Sequence, residues 1–183
     1  RAADFVDRLD VREAAGVLEE LATTAYLVGR VEDAFPAIAR AIARYRELGD
    51  QESIGRCTRL VSRFYWFDGD GEIARLKGHE AVAILEPLGE SIELARAYSG
   101  LAHLAMLAEN CGEALSRGKP ALELATRLGD DNTRSHALVN LASARAQLDY
   151  RDAVPALLEA HDFAAGVGEL HIAGRALNNL AYI

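Results

Sequence analysis

The fold of this chain is decided by the stretch between residues 127 and 142, which reads Arg127-Leu128-Gly129-Asp130-Asp131-Asn132-Thr133-Arg134-Ser135-His136-Ala137-Leu138-Val139-Asn140-Leu141-Ala142. Gly129 suits the left-handed conformation that closes a helix. Asp130, like Asp10 earlier in the chain, suits the cap of the next helix. Apolar residues then recur at helical spacing on one face: Ala137, Leu138, Leu141 and Ala142. The stretch therefore predicts a helix end, a tight turn and a helix start.

The same unit recurs along the whole chain. Its turn glycines are Gly49, Gly89, Gly129 and Gly168, which follow one another at a spacing of about 40 residues. Two further columns keep this spacing: Leu21, Val61, Leu101, Leu141 and Leu180 in one, and Ala34, Ala74, Ala114 and Ala153 in the other. We therefore predict a single repeat domain over residues 1–183, with units at 10–49, 50–89, 90–129, 130–168 and a shortened 169–183.

Each unit is expected to hold two antiparallel helices, because the turns between them are too short for any other arrangement. In the fourth unit the predicted helices run from Asp131 to Leu148 and from Asp152 to Val167. Such a pair cannot bury its apolar stripe alone, so the pairs are expected to stack into a solenoid. Pro120 falls in the middle of a predicted helix and predicts a kink or a break there.

Composition narrows the class of protein. With 183 residues, 50% of them apolar, the chain is long enough to bury a sizeable core. The net charge of −8 argues against a nucleic-acid surface and against binding to anionic membranes. No apolar run approaches the roughly 20 residues of a membrane span, and no signal-like segment opens the chain. Cys57 and Cys111 are interpreted as free thiols, so we expect a cytoplasmic protein.

The two ends predict a fragment of a longer protein. The chain starts at Arg1 without a methionine and stops at Ile183 inside a predicted helix. Terminal repeats normally carry polar caps, and the last helix carries apolar residues such as Leu177 and Leu180 instead. We expect end-to-end self-association through that face.

No motif predicts catalysis, a cofactor or a metal site. The segment at residues 68–72 resembles part of a calcium loop, but Ile73 and His79 stand where such a loop needs glycine and an acid. The five histidines form no pair at metal spacing. The sequence also shows neither a glycine-rich phosphate loop nor a nucleophile with a positioned base. We therefore predict that the chain is not an enzyme.

The repeats resemble the tetratricopeptide repeat. That family pairs a Leu-Gly or Leu-Ala step in the first helix with a small residue early in the second, as in Leu141-Ala142 with Ala153. The repeat here is longer than the usual length of about 34 residues. Long variants with Leu-Gly-Asp turns and Ala-Leu-x-Asn-Leu-Ala helices resemble those of bacterial LuxR-type, ATP-dependent transcriptional regulators. The resemblance implies an all-α, right-handed superhelix of about nine helices without a strand.

The resemblance also implies a binding groove, because the first helix of each tetratricopeptide pair lines the concave surface. Arg56, Arg59 and Arg63 share one helical face, one turn before Trp66. Arginine forks grip carboxylates or phosphates, and aromatic side chains anchor recognition. The alternative is a solvated face whose arginines pair with nearby acids. The candidate binding residues are Tyr26, Arg56, Arg59, Arg63, Trp66, Arg96, His103 and His136.

Two functions remain open from the sequence. The first is a non-catalytic module of a larger bacterial regulator that binds a protein segment, a peptide or a small acidic effector. The second is a structural spacer that transmits conformational change in a signalling protein such as a cyclase or kinase. A ligand in the concave groove would separate them.

Overall fold

A computed structural model describes residues 6–183, and over that range the chain is helical without a strand. Short 3-10 helices lie at Val6–Arg8 and Glu86–Leu88. The nine α-helices of the described range are α1 (Val11–Leu27), α2 (Val31–Glu47), α3 (Gln51–Phe67), α4 (Gly71–Leu85), α5 (Ile92–Leu107), α6 (Cys111–Leu128), α7 (Asp131–Ala146), α8 (Tyr150–Gly166) and α9 (Leu170–Leu180). The prediction of an all-α chain is confirmed.

The helices form hairpins in two compact units. The first unit ends at Gly89 and contains α1 to α4; the second begins at Glu90 and contains α5 to α9. Within each unit, consecutive helices pack closely, and α5 and α7 in the second unit also contact each other.

Gly129 has the predicted left-handed conformation. Gly129 closes α6 with φ +70°, and the Asp130 N–H reaches back to the Ala125 carbonyl at 3.0 Å. That bond satisfies a carbonyl of the last helical turn that would otherwise have no partner. Positive φ values also occur at the equivalent Gly49, Gly89 and Gly168.

The capping prediction is right at Asp10 and wrong at Asp130. Asp10 accepts hydrogen bonds from the backbone N–H groups of Arg12 and Glu13 at the start of α1. The Asp130 side chain makes no such bond to α7. Its carboxylate accepts instead from the Thr133 hydroxyl at 2.6 Å and from Arg96 Nε at 3.3 Å. The Asp130 carboxylate therefore binds the side chains of Arg96 and Thr133 and leaves the backbone N–H groups of α7 uncapped.

Small residues let the helices approach closely. The alanine column is buried at every position, with exposures of 0% for Ala34, 0% for Ala74, 1% for Ala114 and 0% for Ala153. The break predicted at Pro120 is absent, because α6 runs continuously from Cys111 to Leu128. Proline removes one helical hydrogen bond, but the following Ala121 and Leu124 are buried in the packed face of the helix.

Candidate functional site

The predicted groove residues are distributed over the first helices of the hairpins. Tyr26 is in α1, His136 is in α7, and the others lie on α3 and α5. Since the chain divides into two units, the residues of each unit are described separately.

Arg56 is held inside the first unit by a carboxylate of α1. Its guanidinium donates to both oxygens of Glu19, with Nε to Oε1 at 2.6 Å and Nη2 to Oε2 at 2.8 Å. The Tyr45 hydroxyl donates to the same Oε2 at 2.9 Å. This bidentate geometry is the strong form of an arginine–carboxylate pair. Arg56 therefore ties α3 to α1 and α2, and its charge is already compensated.

The pKa values in this network follow from its contacts. Burial pushes the pKa of Glu19 upward, but the hydrogen bonds and charge of Arg56 outweigh burial, so the net pKa is lowered. Burial and the neighbouring Glu19 raise the pKa of Tyr45 to about 12. Burial also raises the pKa of the Cys57 thiol. Cys57 is fully buried, so it is a packing residue and not a reactive thiol.

Arg63 and Trp66 are predicted groove residues of the first unit that are exposed, in contrast to the half-buried Arg56. Arg63 Nε donates to the Tyr26 hydroxyl at 3.1 Å, and its guanidinium lies 5.3 Å from the centroid of the Tyr26 ring. The Tyr26 ring in turn stacks on the buried Phe64 at 4.9 Å. Trp66 is 40% exposed. The structure thus brings Tyr26 and Arg63 together. Arg59 lies half-buried on α3 between the Arg56 and Arg63 positions.

Arg96 in the second unit is compensated like Arg56. Its Nη1 donates to Glu93 Oε1 at 2.9 Å, and its Nε donates to Asp130 Oδ2 at 3.3 Å. These contacts join neighbouring turns of α5 to the start of α7. Arg96 therefore acts within the fold, as the alternative interpretation of the predicted groove anticipated for such arginines.

A second group of polar side chains, which we call the α5–α7–α9 cluster, contains Ser99, His103, His136, Asn140 and Arg175. The rings of His103 and His136 lie 5.4 Å apart. His136 Nδ1 is 2.7 Å from Ser99 Oγ and 3.2 Å from Asn140 Nδ2, so this nitrogen is placed to accept. Asn140 is 1% exposed, and its Nδ2 also donates to the Ser99 carbonyl at 3.0 Å. That contact fixes Oδ1 as the acceptor for the rest of the cluster.

Arg175 joins this cluster from α9. Its Nη2 donates to Asn140 Oδ1 at 2.8 Å and to the His136 carbonyl at 3.4 Å, and its Nη1 lies 3.5 Å from His103 Nδ1. Burial lowers the pKa of Arg175 to about 10. Sequence analysis missed this residue, although Arg56, Arg96, His136 and Arg175 follow one another at the spacing of the repeat. Extending that column to the shortened fifth repeat would have found it.

A cavity lies beside the cluster in the second unit. It has a volume of about 430 Å³ and is lined by residues that include Met106, Leu107, Ser143, Gln147, Asn179 and Tyr182. Asn179 is one helical turn beyond Arg175 on α9 and donates to Ser143 Oγ at 2.7 Å. The second unit thus sets a mainly apolar cavity next to a polar, cationic cluster.

Two further features of the described residues concern metal binding and membrane spans. Residues 6–183 contain no group of three or more His, Cys, Asp or Glu side chains that would hold a metal ion. Among the helices of the same range, none combines the length and apolar character that crossing a membrane requires.

The chain is similar to known proteins in structure and not in sequence. The sequence matches no family profile and no curated protein. RapI in its apo form matches with a TM-score of 0.79 and 16% identity over 98% of this chain and 73% of that chain. A signal transduction ATPase with numerous domains (STAND) from Pyrococcus horikoshii, which has a tetratricopeptide repeat sensor, matches with a TM-score of 0.75 and 14% identity over 93% of this chain.

A Rap protein complexed with competence and sporulation factor also matches, with a TM-score of 0.69 and 15% identity over 99% of this chain. The chain spans 27% of the length of the STAND protein and 55% of the length of the complexed Rap protein. At these identities the likeness concerns the fold. The chain has the fold of a tetratricopeptide-repeat-like array of helical hairpins.

Proposed function

We propose that this chain is a non-catalytic binding domain that holds a peptide or protein segment on the first helices of its hairpins. The observation that carries the proposal is the cavity beside the α5–α7–α9 cluster. An apolar cavity with a few convergent polar groups is the usual form of a ligand site. A purely structural hairpin array needs neither a cationic cluster nor an open cavity on that face.

The comparisons support a partner-binding role in signalling. One similar structure is a Rap protein in complex with competence and sporulation factor, so this fold can hold a partner. Another is a STAND ATPase whose tetratricopeptide repeats are named as its sensor. From the Leu-Gly-Asp turns of the sequence we propose a bacterial regulator of the LuxR type as the parent protein. From the two free thiols, Cys57 and Cys111, we propose a cytoplasmic location.

The spacer function remains the second candidate because of two specific contacts. Arg56 is paired with Glu19, and Arg96 is paired with Glu93 and Asp130. Two of the predicted groove arginines are therefore used inside the fold. A domain that only transmits conformational change would need such ties and no ligand.

The two functions are separated by selecting binders from a random peptide library on the 183-residue chain. We expect selected peptides to bind with a dissociation constant below about 100 µM, which corresponds to about 5.5 kcal/mol. Asn179→Trp, which fills the cavity, should weaken that binding at least tenfold. Leu158→Trp is the matched control, because Leu158 is exposed on α8 and lies outside the cavity lining.

Both variants are first checked for wild-type helicity by circular dichroism. Failure to select any peptide, or equal weakening by the two tryptophan variants, would favour the spacer over the binding domain.

A further inference from the structure

The repeats provide an internal comparison for Arg175. Arg56, Arg96 and Arg175 occupy equivalent positions in the second, third and fifth repeats. Arg56 holds Glu19, and Arg96 holds Glu93 and Asp130. Arg175 pairs with no carboxylate among residues 6–183; its polar neighbours are an amide oxygen, a backbone carbonyl and a histidine ring. One arginine of the column is thus left without the anion that its equivalents have.

The hydrogen-bond pattern leaves donors of Arg175 unused. Asn140 Oδ1 is an acceptor, so His103 Nδ1 must donate its proton across the 3.2 Å between them. A nitrogen that donates cannot also accept from Arg175 Nη1, which lies 3.5 Å away. Arg175 Nε is buried and has no hydrogen-bond partner. Nε and Nη1 of Arg175 therefore keep N–H groups that have no acceptor among residues 6–183.

Leaving this charge unpaired is unfavourable. Removing an arginine from water without an opposite charge disfavours its charged form, and burial accordingly lowers the pKa of Arg175 to about 10. The charged form persists at neutral pH, so the unfavourable burial persists as well. Binding an anion relieves it, because a charge-assisted hydrogen bond to a carboxylate or phosphate oxygen gives the unpaired N–H groups an acceptor and compensates the charge.

We infer that Arg175 binds an anionic group, a carboxylate or a phosphate, of the ligand, and that an adjoining apolar group of the same ligand enters the cavity next to Asn179. The inference rests on the proposed function and specifies the class of ligand that the second unit takes. The spacing between Arg175 and Asn179, one helical turn of about 5.4 Å, sets the distance between the two groups. An acidic residue followed by an apolar one meets that requirement.

The anion site is tested directly in a buffer low in multivalent anions. The 183-residue chain is titrated with inorganic phosphate and, separately, with acetate. Nitrogen-resolved NMR follows the backbone amide signals of α9 in every variant and the Arg175 Nε–H signal in the wild type. We expect a saturable shift of these signals in the wild type. Arg175→Met should bind the anion at least tenfold more weakly, and Arg175→Lys should bind with intermediate affinity because it keeps the charge but loses the planar fork.

Arg145→Met is the control of equal charge change, since Arg145 is exposed on α7 in the same unit. It should leave the anion titration unchanged.

Thermal unfolding adds a second readout: Arg175→Met should unfold at the wild-type temperature or above it, because an apolar side chain replaces an uncompensated charge. Wild-type signals that do not respond to either anion, or an equal response of the α9 amide signals in Arg175→Met, would overturn the site. A markedly lower unfolding temperature for Arg175→Met together with no anion response would make Arg175 a structural tie between α9 and α7.

Peptide ligands distinguish the source of the anion and separate this inference from the proposed function. Selected peptides are compared with versions in which Asp and Glu become Asn and Gln, and with versions whose C-terminus is amidated. If the Asn and Gln versions lose binding, the anionic group is a side-chain carboxylate of the peptide. If the amidated versions lose binding, it is the terminal carboxylate. Tight peptides that tolerate both changes and bind Arg175→Met normally would refute the anion site while leaving the binding domain intact. Anion binding without any selected peptide would do the reverse.

Discussion

Gly118 of α6 lies against Leu141 of α7 so closely that a methyl group added to Gly118 would come within 2.7 Å of Leu141 Cδ2 and 2.9 Å of its Cγ. Carbon atoms need more room than this, so the two helices depend on the missing side chain to reach their distance. The same leucine belongs to the apolar column that defined the repeat. Gly118 has an ordinary helical φ, so this position requires glycine for the packing of successive repeats and not for the backbone conformation.

Gly118→Ala should consequently destabilise the second unit. Overpacking of this kind costs roughly 1–3 kcal/mol, although alanine is the better helix former. Gly100→Ala is the matched control, because nothing lies within 4 Å of a methyl group at Gly100 in α5. It should stabilise by about 0.5–1 kcal/mol. Urea unfolding of the two variants measures the difference, and equal shifts in both would contradict the packing account.

Gly129→Val should destabilise through the backbone alone. Gly129 has φ +70° with nothing within 4 Å of an added methyl group, so conformational strain of about 1–2 kcal/mol is expected without a steric clash. Gly166→Val tests the same side chain at a glycine of α8 that has neither a positive φ nor a near neighbour. A loss at Gly129 no larger than the loss at Gly166 would argue against the turn conformation as the cause.

Glu19 should make the first unit sensitive to acid. Its pKa lies below the ordinary value of 4.5 in the folded state, so its stabilising contribution is fully present above the unfolded-state pKa. That contribution is lost as the pH falls through the lower folded-state pKa. Unfolding free energies measured from about pH 7 to about pH 3 should fall less steeply for Glu19→Gln than for the wild type.

At neutral pH, Glu19→Gln should cost roughly 1.5–3 kcal/mol, the range for hydrogen bonds to charged groups. Glu90→Gln is the control, because Glu90 pairs with Arg127 at an exposed position where ion pairs contribute little. If the two variants had the same stability and the same pH dependence, the half-buried Glu19–Arg56 network would not be the source of the acid sensitivity.

Arg63 carries the remaining prediction for the first unit. Its described contacts are the Tyr26 hydroxyl and ring, so Arg63→Ala should change the unfolding free energy by about 1 kcal/mol or less. Affinity for a selected peptide should fall at least tenfold if the ligand also reaches Trp66 and Arg59 as the sequence predicts. Calorimetric titration of the variant decides this, and unchanged affinity would confine binding to the second unit.

The hairpin array was predictable because it depends on spacing. The repeated alanines, such as Ala34 and Ala74, indicate which positions must hold a small side chain. A turn glycine such as Gly129 indicates where φ must be positive. Neither depends on the identity of a distant partner. The helix ends and the alternation of paired helices therefore emerged from the sequence within a few residues.

The partners of polar side chains were not predictable in the same way. Asp130 has the right residue type and position for a cap, yet Arg96 approaches from α5 and binds its carboxylate. Arg56 belonged to a plausible binding strip, yet Glu19 on α1 compensates it. Such choices depend on which helices stack in three dimensions. Arg175 was missed for the opposite reason, because the repeat column that contains it was not followed to its last member.

The contact between Glu19 and Arg56 also bears on how the first unit unfolds. It joins α1 of the first hairpin to α3 of the second, and Tyr45 brings α2 into the same network. In a linear array, the strength of such interfaces between neighbours decides whether repeats open one at a time or together. A charged, bidentate tie across this interface couples the two hairpins into one cooperative unit. Amide protons of α1–α2 and α3–α4 should then exchange with solvent at similar rates, and Glu19→Gln should separate those rates into two classes.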